Sequence, residues 1–328
     1  MSDSLPVPAI KLELAHCIEF VDLMRGQGFA FDSLAALREV AAFKLCSATS
    51  KHLARAIEAA CQSHLDDPGL GIFALDIPEG IDPDPSRDAT MAAIIAVSIM
   101  GQLFEPAIDP TNGTPFTVYN ASPENERRLS EAGLAYFSPD EKLGFHTDGI
   151  IDDVIGGSHV RVPHFIGLYN LLINYQRPGN LFWVPFALWK ELPAFAEQFG
   201  WEVAHAVELT PSVYEKGGSL GGTEPRRVDV PIFSGSEREP VVFFNGTLVG
   251  EQTKAGKPLA ALAARMRQSI SSNPVRYAIP QRQRRLVLAR NDRGFHARDV
   301  FEKPYPNCKY TRSLLRSVSR SGRQVAKC

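Results

Sequence analysis

The sequence predicts an α+β fold, in which a helical N-terminal region precedes a core of short strands arranged as a sandwich or jelly roll. Residues 33–62 are rich in Ala, Leu, Lys and Arg, and their apolar residues recur near helical spacing. Beyond residue 115 the pattern changes to short apolar runs that are broken by Gly, Pro and Asn. The 328 residues are enough for one large domain.

The predicted elements follow in chain order. After the helix within residues 33–62 come a strand over 71–76 and a helix over 89–104, which we expect the turn at residues 82–86 to cap. Runs of branched and aromatic residues then predict strands at 165–169, 181–184, 228–230, 241–244 and 285–289. A last helix is predicted over 257–271, where Leu259, Leu262 and Met266 share one face.

Composition excludes several classes of protein. The chain is 44% hydrophobic and 22% charged with a formal net charge of −2, which is typical of a soluble globular protein and argues against a general nucleic-acid binder. No run approaches the ~20 apolar residues that span a bilayer, and the N-terminus lacks a signal-peptide pattern. Five cysteines without a C-x-x-C pair favour reduced thiols. We therefore expect a cytoplasmic protein whose partner is a small molecule, with no nucleic acid and no membrane; a homo-oligomer is left open.

A His-x-Asp pair, His146 and Asp148, lies in the stretch Phe145–Gly149, and a third candidate ligand, His296, follows far downstream. Alternate side chains of an extended strand point the same way, so the pair can converge on one ion. Two histidines and one carboxylate form the facial triad that holds Fe(II) and leaves positions open. The alternatives are a surface ion pair or structural hydrogen bond for the pair, and a structural loop histidine for His296.

Two arginines in the tail, Arg312 and Arg316, are four residues apart and share a face of a strand or of a helix. A guanidinium binds carboxylates bidentately, as a dicarboxylate cosubstrate and an acidic group of a substrate would each require. The alternative is a solvated basic tail, since positive charge continues through Arg320, Arg323 and Lys327.

Taken in order, these motifs resemble the taurine dioxygenase and clavaminate synthase superfamily of Fe(II)/2-oxoglutarate oxygenases. The resemblance covers residues 70–316 and includes the opening strand Gly71–Leu75, the Phe145–Gly149 box, the segment Gly179–Pro185 and the distal His296 followed by two arginines. It implies one oxygenase domain with a double-stranded β-helix (jelly-roll) core and insertions over 70–316. A helical N-terminal layer (1–69) would precede this core and a basic tail (317–328) would follow it.

The resemblance also implies roles for residues. His146, Asp148 and His296 would bind Fe(II), Arg312 would pair with the distal carboxylate of 2-oxoglutarate, and Arg316 would hold the acid group of the substrate, with O2 as the second cosubstrate. The sequence departs from the family at Leu181, where a threonine commonly helps to hold 2-oxoglutarate. Either Asn180 substitutes for this threonine or the contact is absent. The intact Asp148 favours hydroxylation over halogenation, although desaturation and ring formation use the same triad.

For the substrate we favour a free L-amino acid, with lysine and arginine as candidates. Asp152 and Asp153 beside the metal box would receive a cationic group, with a solvated loop as the alternative, and Asn120 is a further polar candidate. The Gly-rich residues 217–222 lack the context of a phosphate loop and suggest a mobile segment over the site. Three functions stay open: a hydroxylase that releases succinate and CO2, a metal-dependent hydrolase with the same ligands, and a non-catalytic jelly-roll binding protein.

Overall fold

The computed structural model describes residues 4–34, 51–109, 113–131, 138–154, 157–209, 226–249 and 258–327, with the backbone alone at 151–154, 157–159, 226 and 324–327. Its helices are α1 (Leu14–Gly26), α2 (Lys51–Ala60), α3 (Pro85–Leu103), α4 (Pro123–Glu131), α5 (Leu192–Phe199) and α6 (Leu259–Ser271). Its strands are β1 (Leu5–Pro6), β2 (Ala9–Lys11), β3 (Ile72–Asp76), β4 (Thr117–Ala121), β5 (Leu143–His146), β6 (Ile150–Val154), β7 (Gly157–Pro163), β8 (Ile166–Ile173), β9 (Tyr175–Arg177), β10 (Asn180–Pro185), β11 (Ala204–Leu209), β12 (Arg226–Pro231), β13 (Phe233–Gly235), β14 (Pro240–Val242), β15 (Thr247–Leu248), β16 (Tyr277–Pro280), β17 (Arg285–Ala289), β18 (Gly294–Arg298), β19 (Glu302–Pro304), β20 (Arg312–Val318) and β21 (Gly322–Lys327).

Two large sheets organise the chain. The six-stranded sheet has the order β2-β3-β17-β8-β20-β4, and the five-stranded sheet has the order β1-β16-β10-β18-β5. A shared apolar core joins them, in which Trp183 and Ile279 of the five-stranded sheet pack with Ile72, Ile166 and Val287 of the six-stranded sheet. All five side chains are buried, so the two sheets pack face to face.

Helices cover the outer face of each sheet. Helices α1, α2 and α3 pack against the six-stranded sheet through residues such as Phe73 and Leu288. Helices α5 and α6 pack in a second cluster with Phe145 and Phe295 of the five-stranded sheet. The side-chain carboxylate of Asp84 caps α3 by accepting hydrogen bonds from the backbone of the first turn. The result is a mixed fold of helices and several sheets.

Most of the predicted elements are confirmed. The turn before α3 caps that helix, the predicted strand at 285–289 is β17, and α6 buries Leu259, Leu262 and Met266. Strands β3, β8, β10, β12 and β14 overlap the other predicted runs, although β14 ends at Val242 and covers only the first half of the run predicted at 241–244. Residues 35–50 of the first predicted helix and the Gly-rich residues 217–222 lie outside the described residues.

Both ends of the chain add strands that the sequence analysis did not predict. Strands β1 and β2 pair in parallel with β16 and β3, so the N-terminal layer is not wholly helical. Strand β21 pairs antiparallel with β7, so residues 322–327 form a strand rather than a solvated tail. Pairing with an existing sheet edge satisfies the backbone polar groups of these short segments, which carry little apolar pattern of their own. Among the described helices, none is both long and apolar enough to cross a membrane.

Candidate active site

Three side chains, from the end of β5, the loop that follows it and strand β18, meet at one point. His146 ends β5, Asp148 follows two residues later, and His296 lies in β18, directly opposite His146 across the antiparallel β5–β18 pair. Oδ1 of Asp148 is 3.8 Å from Nε2 of His146 and 3.8 Å from Nε2 of His296. One ligand atom of each residue lies within 4.8 Å of the others. The structure therefore brings together the three residues that the sequence analysis singled out.

Short contacts hold the segment Phe145–Gly149, which carries two of the three ligands, in place. Nδ1 of His146 lies 2.8 Å from the carbonyl of Gly144, which favours a proton on Nδ1 and leaves Nε2 free to bind a metal. The hydroxyl of the buried Thr147 donates to the carbonyl of Val242 at 3.0 Å. Gly149 packs so closely that an added Cβ would lie 2.4 Å from the ring of Phe243. A side chain at position 149 would thus push the segment Phe145–Gly149 away from Phe243.

Asn291 fixes the backbone of the carboxylate ligand, and the sequence analysis missed it. Its side-chain oxygen accepts from the backbone N–H of Asp148 at 2.7 Å, and its amide nitrogen donates to the Asp148 carbonyl at 3.0 Å. The same nitrogen donates to the carbonyl of Pro163 at 3.0 Å, and Asn291 is fully buried. Because 143 residues separate Asn291 from Asp148, no local pattern indicates this contact.

The protonation states suit a divalent cation. Burial by itself would raise the pKa of Asp148, but the charge of Arg316 and its hydrogen bond to the carboxylate hold that pKa well below its ordinary value. Burial lowers the pKa of His296 to about 3 and also lowers the pKa of His146. An ionised carboxylate and two neutral imidazoles are what a metal ion needs as ligands. The donor set therefore fits Fe(II).

The three ligands open onto a cavity of about 540 Å³ between the two sheets. Arg312, Leu314 and Arg316 line one wall, because alternate residues of β20 face the same side. The other lining residues include the apolar side chains of Leu143, Phe145, Leu168, Leu181 and Phe244. A cavity that combines apolar side chains with convergent polar groups is typical of a small-molecule site.

The two tail arginines differ in their contacts. Nη2 of Arg312 donates to Oδ1 of Asn170 at 3.1 Å, and the guanidinium carbon lies 4.8 Å from the ring centroid of Phe301. Arg316 instead binds the metal ligand, with Nη2 at 2.7 Å and Nε at 3.1 Å from Oδ2 of Asp148. Its Nη1 also donates to the hydroxyl of Tyr119 at 3.3 Å. Oδ2 of Asp148 is thus occupied by Arg316, while Oδ1 faces the two imidazoles.

An arginine stands opposite the unusual Leu181. Leu181 in β10 pairs directly with Arg298 in β18, and both line the cavity. Arg298 is buried and donates through Nη2 to the carbonyl of Ser138 at 2.6 Å. Arg298 was not predicted as a site residue, although it lies two residues after His296 and therefore on the same face of strand β18.

Of the remaining predicted residues, Asn180 and Asn120 do not line the cavity, and the side chains of Asp152 and Asp153 lie outside the described part of the structure. Asn180 precedes Leu181 on β10 and is not among the lining residues. Asn120 accepts a hydrogen bond from the hydroxyl of Ser313 at 2.7 Å and does not line the cavity either. Asp152 and Asp153 lie in β6, where only the backbone is described.

Comparison with known proteins yields matches by structure. No family model and no curated protein matches the chain. An asparagine oxygenase in complex with Fe(II), 2S,3S-3-hydroxyasparagine and succinate is 17% identical, with a TM-score of 0.61 over 95% of this chain and 93% of that chain. The non-heme iron oxygenase OrfP with Fe, succinate and (3S)-hydroxy-L-Arg is 14% identical, with a TM-score of 0.61 over 96% and 95%.

This chain has the fold of these oxygenases. A further structure, OrfP in complex with Fe and alpha-ketoglutaric acid, matches with 14% identity and a TM-score of 0.59 over 95% of this chain and 93% of that chain. The resemblance to Fe(II)/2-oxoglutarate oxygenases that the motifs indicate is thereby confirmed at the level of the fold.

Proposed function

We propose that this protein is an Fe(II)- and 2-oxoglutarate-dependent dioxygenase that hydroxylates an unactivated C–H bond of a free L-amino acid and releases succinate and CO2. The observation that carries the proposal is the convergence of His146, Asp148 and His296 beside Arg312 on one cavity. Two imidazoles and one carboxylate on a single face leave positions for a cosubstrate. A binding protein without catalysis has no need of such a constellation.

The fold supports the same function. The two face-to-face sheets and the helical layers are what a double-stranded β-helix core with flanking helices would produce. We assign this core to residues 70–316 within one oxygenase domain, with residues 1–69 as the N-terminal layer and 317–328 as the tail. His146 and His296 lie on one sheet and Arg312 on the other, so metal ligands and cosubstrate ligand would face each other across the interior.

Each residue has a distinct task in this proposal. When bound, Fe(II) with 2-oxoglutarate and O2 would supply an oxidant strong enough for a C–H bond. His146, Asp148 and His296 would hold the metal, and the guanidinium of Arg312 would bind the distal carboxylate of 2-oxoglutarate. The apolar side chains of the cavity wall would help to exclude water from the reacting bond.

Arg316 would serve both the metal ligand and the substrate. Its contacts with Asp148 and Tyr119 use three of the five guanidinium N–H groups, and the others would hold the acid group of the substrate. Free amino acids are also what the bound products in the similar structures suggest, since these structures contain hydroxyasparagine and hydroxyarginine. Lysine and arginine stay candidates through Asp152 and Asp153, while Asn180 and Asn120 have no contact that supports their proposed roles.

An anaerobic titration tests the metal and cosubstrate sites. Addition of Fe(II) and 2-oxoglutarate to the wild-type protein should produce the weak visible charge-transfer band of the chelated metal. Asp148→Ala should lose the band and all hydroxylation, because one of three ligands is gone. Asp229→Ala is the matched control, since Asp229 is an exposed aspartate on β12 that does not line the cavity.

Turnover then tests the reaction class. Aerobic incubation with each of the twenty amino acids, with succinate as the readout, should identify a substrate whose hydroxylated product appears in step with succinate. A metal-dependent hydrolase would form no succinate. An unchanged rate in Asp148→Ala, or no band in the wild type, would contradict the proposed function.

A further inference from the structure

Arg267 reaches the cavity from a helix that the metal ligands do not use. Helix α6 packs against β5 and β15, and Arg267 is its one arginine among the residues that line the cavity. The guanidinium carbon lies 5.2 Å from the ring centroid of Phe244, a distance at which an aromatic face stabilises a cation. Arg265, two residues earlier, is also exposed, but it does not line the cavity and donates to Gln198 at 3.4 Å.

Arg267 has no acidic neighbour in the part of the chain that the structure describes. Its side chain is exposed to solvent over much of its surface, yet partial burial against the cavity wall lowers its pKa, and no carboxylate among the described residues opposes this shift. The residues beside Phe244 in the wall, Asn245, Gly246 and Thr247, are neutral. A positive charge held on an aromatic ring without a counter-ion is an anion-binding group.

The balance of charge in the cavity points the same way. Among the described lining residues there are four arginines, Arg267, Arg298, Arg312 and Arg316, and a single carboxylate, Asp148. Asp148 is committed to the metal centre and to Arg316. A substrate with a cationic side chain would therefore meet repulsion from these walls, and a substrate with an additional negative charge would be attracted.

The proposed function accounts for two of these arginines and leaves Arg267 without a task. Arg312 is assigned to 2-oxoglutarate and Arg316 to the acid group common to all amino acids, while Arg298 is held inside by the carbonyl of Ser138. We infer that Arg267 selects a substrate whose side chain ends in an anionic group, which makes an acidic L-amino acid the substrate class. This inference rests on the proposed function and replaces the preference for lysine or arginine.

Binding and turnover of paired amino acids test this inference. Six amino acids are titrated separately onto the anaerobic protein with Fe(II) and 2-oxoglutarate: L-aspartate, L-glutamate, L-asparagine, L-glutamine, L-arginine and L-lysine. The change in the visible band gives the Kd of each amino acid. We expect one acidic amino acid to bind at least about tenfold more tightly than its amide, since a charge-assisted hydrogen bond is lost with the amide. The same acid should give the highest substrate-dependent succinate release.

Variants on one helix separate specificity from folding. Arg267→Gln should raise Kd and KM for the acidic substrate about tenfold or more and leave the band with 2-oxoglutarate alone unchanged. Arg265→Gln is the matched control and should leave both constants unchanged. Arg267→Glu should invert the preference, so that L-lysine or L-arginine binds more tightly than L-aspartate or L-glutamate.

The outcomes distinguish this inference from the function on which it rests. If the band forms but neither acidic amino acid binds, or if Arg267→Gln behaves like Arg265→Gln, the inference is overturned and the proposed function stands. If a basic amino acid is the best substrate of the wild type, the inference is also overturned. If Fe(II) and 2-oxoglutarate give no band at all, the proposed function fails and the inference fails with it.

Discussion

Leu181 lies in the cavity at a position where the oxygenases that this sequence resembles commonly carry a threonine. Leucine has no hydroxyl group and cannot donate a hydrogen bond to a carboxylate. Arg298 stands directly opposite on β18, so the structure supplies a cation beside the missing hydroxyl. The apolar side chain and the cross-strand guanidinium together would shape the end of the cavity where the distal carboxylate of 2-oxoglutarate is proposed to bind.

A threonine at this position should improve cosubstrate binding. Leu181→Thr adds a hydroxyl near the proposed carboxylate site, and we expect KM for 2-oxoglutarate to fall about tenfold, since a hydrogen bond to a charged group contributes about 1.5 kcal/mol. Leu181→Val is the matched control, because valine has the shape of threonine without the hydroxyl. Equal KM values for 2-oxoglutarate in the two variants would show that no carboxylate lies within reach of this position.

The three-residue helical turn Asn291–Arg293 precedes β18 and couples the two halves of the metal centre. Asn291 within the turn binds the backbone of Asp148, while β18 carries His296 five residues later. Next to Asn291, Asp292 accepts from Arg290 and lies 2.7 Å from Nδ1 of His164. Both the carboxylate ligand and the distal histidine are therefore positioned from one short element.

Loss of this contact should weaken metal binding. In Asn291→Ala the backbone of Asp148 loses both of its side-chain hydrogen bonds, and we expect Fe(II) affinity to fall about 10- to 100-fold, as for other groups that orient metal ligands. Asn273→Ala is the matched control: Asn273 is also buried and donates to the carbonyl of Val275 at 2.7 Å. Both variants should lose stability, and equal Fe(II) affinities in an anaerobic titration would refute a positioning role for Asn291.

The site shows what local patterns can and cannot reveal. His146 and Asp148 were predictable as a pair because two potential ligands this close in sequence can reach one ion, although Asp148 lies just beyond the end of β5 and not on the strand that the spacing argument assumed. Arg312 and Arg316 were predictable because residues four apart on a strand share a face, and the structure places both on the cavity wall. Asn291 was not predictable, because an amide that binds backbone leaves no spacing signature.

Helix α3 is tied to the six-stranded sheet through one buried ion pair. Asp88 in its first turn accepts from Nη1 of Arg284 at 2.6 Å and from the backbone N–H of Ile81 at 2.8 Å. Burial would raise the pKa of Asp88, but Arg284 and the backbone donors hold that pKa below its ordinary value. A lowered pKa in the folded state means that the ionised carboxylate stabilises the fold.

The Asp88–Arg284 ion pair should make the free energy of unfolding depend on pH in the acidic range. Asp88→Asn should lower the free energy of unfolding by about 2–4 kcal/mol at pH 7, because Arg284 is left without its buried partner. The deficit should stay constant down to about pH 5 and shrink below about pH 4, where the unfolded carboxyl begins to bind protons and the wild type loses its advantage. Urea unfolding across this range measures the deficit, and Asp22→Asn, at an exposed ion pair, should show none. A deficit that grows as the pH falls would contradict this assignment.

At the scale of the whole molecule, the sequence indicated the order of the helical and strand-rich regions better than it indicated the short terminal strands or the pairing of strands. The change from helical to strand periodicity near residue 115 predicted which part of the chain carries most of the strands. Strands β1, β2 and β21 were not predicted, because segments of two to six residues with little apolar pattern carry no periodic signal. Which sheet each strand joins was equally hidden, since pairing such as β10 with β16 and β18 is set by contacts across the whole chain.

The interior between the sheets is apolar at Trp183 and polar at His296, and these two residues are directly opposed on β10 and β18. Trp183 is fully buried in the core that joins the sheets, and its ring lies so near Gly294 that an added Cβ would be 2.4 Å away. Its indole nitrogen also donates to the carbonyl of Leu70, which precedes β3 of the opposite sheet. The core and the metal centre therefore share one interface between the sheets.

Shortening the side chain of Trp183 should lower the stability of both sheets, and the two sheets should still unfold together. Trp183→Phe leaves a cavity and an unpaired carbonyl, and we expect it to lower the free energy of unfolding by about 2 kcal/mol, less than the ~3–5 kcal/mol of a Trp→Ala change. Trp201→Phe is the control, because Trp201 is partly exposed and packs on Phe233 outside this core. Urea unfolding followed by tryptophan fluorescence and by circular dichroism should give one coincident transition, since both sheets depend on the same contacts. Two separate transitions, or equal losses in the two variants, would mean that the sheets are stabilised independently and that Trp183 does not join them.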